Sequence, residues 1–202
     1  MDINGIVLAG GKSSRFGNDK VSEAIGGKSL LQQVVDSLRF LGGEIIIVTS
    51  NEHPISEEID HPKVRILTDI FPGKGPMGGI YTGMAASATE YNLVVASDMP
   101  FLNEALLRYQ IEVSEGYDIT VPRRGKLVEP LHAIYARGCL NHMAEMMKEE
   151  RLSIYRLFDR VRVRFIEAAE IERFDPKHLS LFNINTKADM AAARRLAEGL
   201  TQ

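Results

Sequence analysis

The sequence predicts an α/β fold of three layers, in which helices cover both faces of a mostly parallel, twisted sheet. Three observations favour this class. Apolar, β-branched runs alternate along the chain with segments of helical periodicity. The first run, residues 3–8, leads directly into a glycine-rich loop. Asn51, Asp69 and Asp98 each follow another run closely, and such sheets bind ligands at the carboxyl ends of their strands.

The N-terminal half of the chain carries the first four predicted strands. Ser29, a residue that favours helix N-caps, opens a helix at 29–41 whose leucines and valines recur at helical spacing. Gly42 and Gly43 end this helix. A second helix is predicted at 80–88, directly after a group of glycines. Apolar runs without helical spacing indicate buried strands at 3–8, 44–48, 64–67 and 92–96.

The C-terminal half continues the alternation. Helical spacing of apolar residues predicts helices at 103–113, 138–149 and 153–158, and an alanine-rich stretch predicts a last helix at 187–197. Apolar and β-branched runs predict strands at 118–121, 131–135 and 161–166. We expect these later strands to extend the sheet and to cover the side on which a second substrate binds.

Composition indicates a globular protein, which we expect to form one domain over residues 1–202. Apolar residues make up 45% and charged residues 25%, a balance that excludes a disordered chain. The net charge of −3 argues against a general nucleic-acid binder. One cysteine excludes an internal disulfide. We expect no secretory signal, no membrane span of about 18–20 apolar residues, and a cytoplasmic location.

The glycine-rich loop at 8–20 is the most informative segment. Gly10 and Gly11 carry no side chains, so that backbone N–H groups there can approach a phosphate closely. Arg15 and Lys20 add positive charge to the same loop. A strand that leads into such a loop predicts a site for a nucleoside triphosphate.

Spacing excludes two common phosphate loops. A Walker A loop ending at Gly11-Lys12-Ser13 needs a glycine at position 6, which is Ile6. The same loop ending at Gly27-Lys28-Ser29 needs a glycine at position 22, which is Ser22. The dinucleotide motif also fails, because the first two glycines are adjacent and no third one follows in register.

The segment Leu8-Ala9-Gly10-Gly11-Lys12-Ser13-Ser14-Arg15-Phe16-Gly17-Asn18-Asp19-Lys20 resembles the opening motif of the molybdenum cofactor guanylyltransferases, a group within the sugar-nucleotide-type nucleotidyltransferases. Four later segments match this family in order, at 75–79, 97–101, 129–132 and 183–186. The resemblance covers nearly the whole chain. It implies a Rossmann-like nucleotidyltransferase fold. One departure is Glu129, which stands where glutamine is frequent and adds negative charge near the acceptor.

The resemblance also implies a reaction and its partners. GMP would pass from GTP to the terminal phosphate of molybdopterin or molybdenum cofactor, with release of pyrophosphate. Mg²⁺ is the implied metal, with Mn²⁺ as the alternative. Cofactor-insertion proteins and apo-molybdoenzymes are further implied partners. Three alternatives stay open: cytidylyl transfer to the same pterin, transfer to a sugar phosphate, and a non-catalytic GTP-binding adaptor that delivers the cofactor.

Asp98 is the strongest candidate for a catalytic side chain. It follows an apolar strand, Pro100 prevents continuation of that strand, and a carboxylate there could hold Mg²⁺. The alternative is a helix cap for the helix that begins near Asn103. Arg15 and Lys20 would stabilise the charge on the leaving pyrophosphate, the alternative being a solvated loop.

The remaining site residues are implied by the resemblance. Asp69 could equally be a turn residue at the end of a strand. Asn183 and Asn185 share a side of an extended segment and could contact phosphate, acceptor or metal, or could form a turn before a cap at Thr186. The nucleotide-binding residues implied by the family are Leu8, Ala9, Gly10, Gly11, Lys20, Asn51, Asp69, Gly75, Gly79 and Asp98.

Other polar groups give weaker signals. Cys139 and His142 lie three residues apart on a predicted helix, but no second ligand pair follows, so packing is favoured over zinc binding. His132 lies in a segment that could face the acceptor. The arginines at 160, 162 and 164 alternate on a predicted strand, which indicates either a solvated edge or a surface for an anionic pterin or a protein partner.

Overall fold

The computed structural model describes residues 2–10, 24–52, 54–55 and 58–200. The strands in these ranges are β1 (Ile3–Leu8), β2 (Ala24–Ile25), β3 (Lys28–Ser29), β4 (Ile45–Thr49), β5 (Val64–Thr68), β6 (Tyr91–Ala96), β7 (Ile119–Arg124), β8 (Leu127–Val128), β9 (His132–Ala136) and β10 (Val163–Glu167). The α-helices are α1 (Leu30–Ser37), α2 (Gly75–Ala86), α3 (Glu104–Glu112), α4 (Cys139–Lys148), α5 (Ala168–Ile171) and α6 (Lys187–Leu200). Short 3-10 helices span Ile154–Leu157 and Leu179–Leu181.

The main sheet has the strand order β10-β7-β9-β6-β1-β4-β5, with β8 paired to β7. β1 runs parallel to both β4 and β6, β4 runs parallel to β5, and β10 runs parallel to β7. β9 is antiparallel to both of its neighbours, and β8 is antiparallel to β7. The prediction of a mostly parallel sheet is therefore confirmed, with one reversed strand inside it.

Helices cover both faces of the sheet. One core cluster joins α2 and α4 to the face that carries Ile6, and the other joins α1 and α3 to the face that carries Val7. Both side chains are fully buried. Because each strand between two helical layers is buried on both sides, it is encoded as a continuous apolar run rather than as an alternating one. The three-layer prediction is confirmed.

Helix α2 begins earlier than predicted. The structure places its first residue at Gly75 and not at position 80, so that most of the glycine group lies within the helix. A Cβ on Gly79 would stand 3.2 Å from Leu8 Cδ2, and one on Gly83 would stand 2.5 Å from Ile6 Cγ2. Glycine is a poor helix former, but here its missing side chain lets α2 approach β1 closely. The tertiary contact outweighs the local preference.

The predicted caps are largely confirmed. Ser29 Oγ accepts from Gln32 N at 3.0 Å, and α1 ends at Ser37, before the two glycines that were expected to end it. Thr186 and Asp189 exchange hydrogen bonds at the start of α6. Four short elements were not predicted, namely the β2–β3 hairpin around the two positive-φ glycines at 26 and 27, strand β8, helix α5 and the 3-10 helix Leu179–Leu181.

A buried histidine lies at the start of β9. His132 is fully buried, its Nε2 lies 2.8 Å from Ser180 Oγ, and its Nδ1 has no hydrogen-bond partner among the described residues. Burial lowers its pKa from 6.5 to about 4. His132 therefore packs as a neutral side chain in the interior and does not face the cleft described below.

We expect the free energy of unfolding to fall as the pH is lowered from 6.5 towards 4. In this window the unfolded chain binds a proton at position 132 and the folded chain does not, so protonation favours unfolding, by up to roughly 3 kcal/mol at the acid end. Urea unfolding of the wild type and of His132→Gln across this range is the measurement. The variant should show a shallower pH dependence. Equal slopes in the two proteins would contradict the assignment.

Candidate active site

The carboxyl ends of β10, which runs parallel to β7, and of five further strands lie at one edge of the sheet. β1, β4, β5 and β6 run parallel, and β7 has the same direction because both β6 and β7 are antiparallel to β9. β9 brings its amino end, and the residues that precede it, to the same edge. Backbone hydrogen bonds tie these ends together, from Ala9 N to Val48 O (2.8 Å), Asp69 N to Thr49 O (2.7 Å), Ser97 N to Leu8 O (3.1 Å) and Ala96 N to Leu131 O (3.1 Å).

The first residues of the glycine-rich loop lie at the centre of this edge. Gly10 is exposed, and a Cβ there would stand 2.7 Å from Ser50 N. Only glycine therefore lets the chain leave β1 so close to the end of β4. Gly11, Arg15 and Lys20 lie outside the described residues, and their predicted roles stay predictions.

Asn51 and Asp69 follow the neighbouring strands. Asn51 is exposed in the turn after β4. Asp69 Oδ1 accepts from Phe71 N and from Thr82 Oγ1, each at 2.9 Å. Asp69 thus ties the loop after β5 to α2, which is the turn role expected as the alternative. A role in nucleotide binding stays a prediction for both residues.

Gly75 and Gly79 have different surroundings. Gly75 is exposed and adopts a φ of +62° at the start of α2. Gly79 is buried against Leu8 and serves the contact between α2 and β1. Residues 75–79 were expected to precede the second helix, and they form its beginning instead. Of the two glycines, Gly75 is the one at the surface of the cleft.

Asp98 lies just beyond β6, half-buried, and its backbone oxygen accepts from Ile184 N at 2.9 Å. The alternative role for this residue was to cap the next helix. The cap of α3 is instead Asn103, whose side chain accepts from Leu106 N at 2.9 Å. The capping alternative is therefore wrong.

The hydrogen bond from Ile184 brings the segment 183–185 beside Asp98. Asn183 Nδ2 donates to Glu129 Oε2 at 3.1 Å, while the buried Oδ1 of Asn183 has no partner among the described residues. Asn185 is exposed, and its backbone N–H donates to Asp189 at 3.0 Å. The structure thus brings Asn183 to the cleft, and it also contains the cap that was the alternative for this segment.

Glu129 is a site residue that the sequence analysis noted without assigning a role. Burial, with a smaller contribution from the nearby charge of Asp98, raises the pKa of its carboxyl above the usual value, although the hydrogen bond from Asn183 opposes this rise. An acidic residue just before Pro130, at the start of a strand, was the signal available in the sequence.

The oxygen atoms around Asp98 fit a magnesium ion. They comprise the carboxylates of Asp98 and Glu129 and the buried Oδ1 of Asn183, which are hard donors. Mg²⁺ is usually held by one or two carboxylates together with substrate phosphates. In the part of the chain that the structure describes, no group of three or more His, Cys, Asp and Glu side chains could hold a metal ion. The donor set fits a cation shared with a nucleotide and does not fit zinc.

The weaker candidates lie away from this cleft. The Cys139 thiol is buried and donates to Asp118 O at 3.3 Å, and burial raises its pKa to about 12, so the predicted packing role is confirmed. Three arginines near the outer strand β10, at the far side of the sheet, form ion pairs. Arg160 pairs with Glu149, Arg162 with Asp118 and Arg164 with Glu170. Only Arg164 lies within β10, so the predicted alternation of all three on one strand is wrong, and Arg162 is the exposed member while Arg160 and Arg164 are half-buried.

Comparison with known proteins identifies the family. A family model described as "MobA-like NTP transferase domain" matches residues 5–164. A "Probable molybdenum cofactor guanylyltransferase" of Pelotomaculum thermopropionicum is 32% identical over 198 residues, which cover 98% of this chain and 95% of the relative. The chain belongs to the molybdenum cofactor guanylyltransferase family. A second such guanylyltransferase, from Desulfosudis oleivorans, is 30% identical and covers 95% of the chain and 94% of its own length.

Solved structures agree with the fold of this guanylyltransferase. Molybdopterin-guanine dinucleotide biosynthesis protein A of Archaeoglobus fulgidus superposes with a TM-score of 0.80 at 23% identity, covering 97% of this chain and 99% of the other. Rv0371c of Mycobacterium tuberculosis, solved as a complex with manganese, gives a TM-score of 0.65 at 15% identity, covering 96% and 98%. The predicted family, the Rossmann-like fold and the enzyme class are confirmed. In the described ranges no helix is long and apolar enough to cross a membrane.

We expect Gly10→Ala to weaken GTP binding by the guanylyltransferase by about 10- to 100-fold, because the added Cβ would push the loop away from Ser50 and misplace its backbone amides. The measurement is the dissociation constant for GTP by calorimetry. Gly138→Ala is the matched control, since a Cβ there would meet nothing within 4 Å. Equal affinities in Gly10→Ala and the control would contradict the placement of nucleotide at this edge.

Proposed function

We propose that this guanylyltransferase transfers GMP from GTP to the terminal phosphate of molybdopterin or molybdenum cofactor, releasing pyrophosphate and forming the guanine dinucleotide. The observation that carries the proposal is the position of Asp98. It stands at the carboxyl end of β6, directly beside the strand that leads into the glycine-rich loop. The names of the curated relatives support this choice of base and acceptor over the alternatives.

The cleft divides into a nucleotide side and an acceptor side. The nucleotide side comprises residues 8–10, Asn51, Asp69 and Gly75, which lie at the ends of β1, β4 and β5 and at the start of α2. Gly11 and Gly79 are proposed to belong to the same side. The acceptor side lies beyond Asp98, where Glu129, Asn183 and Asn185 stand. In this proposal the α-phosphate of GTP would lie beside Asp98, between the two sides.

Catalysis of this reaction requires that the two substrates be positioned and that the phosphate charge be neutralised. An oxygen of the acceptor phosphate forms a bond to the α-phosphorus of GTP, and the bond from that phosphorus to the bridging oxygen of pyrophosphate breaks in line. Because the acceptor phosphate is already ionised, no strong general base is needed. His132, the histidine nearest in sequence to Glu129, is enclosed in the interior and takes no part.

Asp98 would hold Mg²⁺, with Mn²⁺ as the alternative, and Glu129 and Asn183 would supply further oxygen donors on the acceptor side. When bound, the ion supplies positive charge to the α-phosphate and to the departing pyrophosphate. Arg15 and Lys20 would neutralise the remaining phosphate charge. Cofactor-insertion proteins and apo-molybdoenzymes are the proposed further partners, as recipients of the dinucleotide.

We expect Asp98→Asn to lower kcat for pyrophosphate release by about 100- to 1,000-fold, since the neutral amide binds a divalent cation poorly and the developing charge loses its support. Pyrophosphate release from GTP and molybdopterin is the measurement. Asp159→Asn is the control, because Asp159 is exposed in the segment before β10, at the opposite edge of the sheet. Near-normal turnover by Asp98→Asn would remove Asp98 from the mechanism.

We also expect GTP to protect the enzyme from thermal unfolding more than CTP, ATP or UTP at equal concentration. Ligands that bind the folded state raise its stability in proportion to the logarithm of concentration over the dissociation constant. Thermal melts with each nucleotide and Mg²⁺ measure this order. Stronger protection by CTP would overturn the choice of guanine and favour cytidylyl transfer.

A further inference from the structure

The carboxyl end of β7 carries two arginines with different surroundings. Arg123 forms an ion pair with Glu167 and lies over the Phe165 ring, 4.0 Å from its centroid. Arg124 is exposed and has no ion pair with any described carboxylate. Successive strand residues point to opposite faces, so Arg124 lies on the face away from Phe165.

Strand register places Arg124 beside Glu129. In the β7–β8 hairpin Arg124 pairs with Leu127 and Arg123 pairs with Val128, and the ladder continues with Glu129 N donating to Pro122 O at 3.2 Å. Arg124 and Glu129 are therefore diagonal neighbours on one face, a separation that long side chains can bridge.

Glu129 connects this face to Asp98. Its Oε2 accepts from Asn183, and the next residue along the chain, Ile184, donates its N–H to Asp98 O. Arg124, Glu129 and Asp98 thus stand in sequence along the acceptor side. The arginine is the cation at the outer end, and two carboxylates lie between it and the nucleotide side.

An anionic acceptor needs a cation at this place. A phosphate monoester that approaches the α-phosphorus from the side opposite to pyrophosphate meets the Glu129 carboxylate, whose charge repels it. Arginine presents a planar fork of N–H donors that matches phosphate and is always charged. The described residues of the acceptor side contain no glycine-rich segment whose backbone could bind a phosphate, as is proposed for the nucleotide side.

We propose that Arg124 binds the phosphate-monoester acceptor and offsets the repulsion from Glu129. This inference rests on the proposed function, because it assumes that an acceptor enters beyond Asp98. It adds a residue from β7 to a cleft otherwise built from β1, β4, β5, β6 and the segment before β9. Arg124 then determines the affinity for the acceptor and leaves the affinity for GTP unchanged.

The test is a steady-state comparison of the wild type with Arg124→Ser and Arg124→Lys, using molybdopterin, GTP and Mg²⁺ and following pyrophosphate release. We expect the KM for molybdopterin to rise about 10- to 100-fold in Arg124→Ser, less in Arg124→Lys, and the KM for GTP to stay within twofold. Arg195→Ser, an exposed arginine on α6, is the control and should behave as the wild type. A KM for molybdopterin within twofold of the wild type, or a rise confined to the KM for GTP, would overturn the proposal.

A second variant tests the sign of the charge. Glu129→Gln keeps an acceptor oxygen for Asn183 and removes the negative charge, so we expect the KM for molybdopterin, measured at saturating Mg²⁺ so that weaker metal binding does not enter, to fall about threefold or more. A rise would overturn the proposed repulsion.

Calorimetric titration with molybdopterin alone separates this inference from the reaction. If the wild type binds molybdopterin but releases no pyrophosphate, the proposed function fails, and the affinity of Arg124→Ser still decides the role of Arg124. If the wild type does not bind molybdopterin, both fail.

Discussion

The architecture depends on the confinement of β1. This strand has parallel neighbours on both sides, and its two faces are buried by different helical layers, with Ile6 and Val7 both fully enclosed. Such a strand cannot shift its register or rotate about its axis without exposing its apolar residues. The loop after Leu8 therefore leaves the sheet at a fixed point, between the ends of β4 and β6. The point at which the chain leaves β1, at residues 9 and 10, is a consequence of core packing.

The antiparallel strand β9 determines which residues line the acceptor side of the cleft. In a fully parallel sheet each strand presents its carboxyl end and the loop that follows at the binding edge. β9 presents the loop that precedes it, so Glu129 and Pro130 come to the edge, and the hydroxyl of Tyr135 bonds to Pro130 O at 2.8 Å and fixes that loop. In the proposed mechanism the described part of the nucleotide side offers backbone at residues 8–10 and Gly75 beside Asn51 and Asp69, whereas the acceptor side offers the charged and amide side chains of Glu129 and Asn183.

Sequence patterns predicted those features that local chemistry decides. The buried strands are continuous apolar runs, and Ser29 and Thr186 are caps whose partners lie within four residues. The predicted start of α2 was wrong because Gly78 and Gly79 favour a turn locally, whereas in the folded chain a Cβ on Gly78 would meet Phe71 and one on Gly79 would meet Leu8, so that their place in the helix is decided by tertiary contacts. Glu129 received no role for the same reason. Its significance comes from Asn183 and Asp98, which are distant along the chain, and no local pattern encodes that proximity.

Charge balance explains why the two sides of the cleft differ. The triphosphate is flexible and highly charged, and backbone amides can follow it wherever the chain curves around it. The acceptor phosphate must approach the α-phosphorus from one direction, in line with the departing pyrophosphate. In the proposed mechanism its path passes Asp98 and Glu129. Carboxylates there exclude anions that lack a compensating cation, and the hydrogen bond from Asn183 holds Glu129 in place. A repulsive carboxylate with a cation beside it admits an anion only along the path on which both are satisfied, so that in the proposed mechanism selectivity for the acceptor would follow from the same carboxylates that would bind the metal.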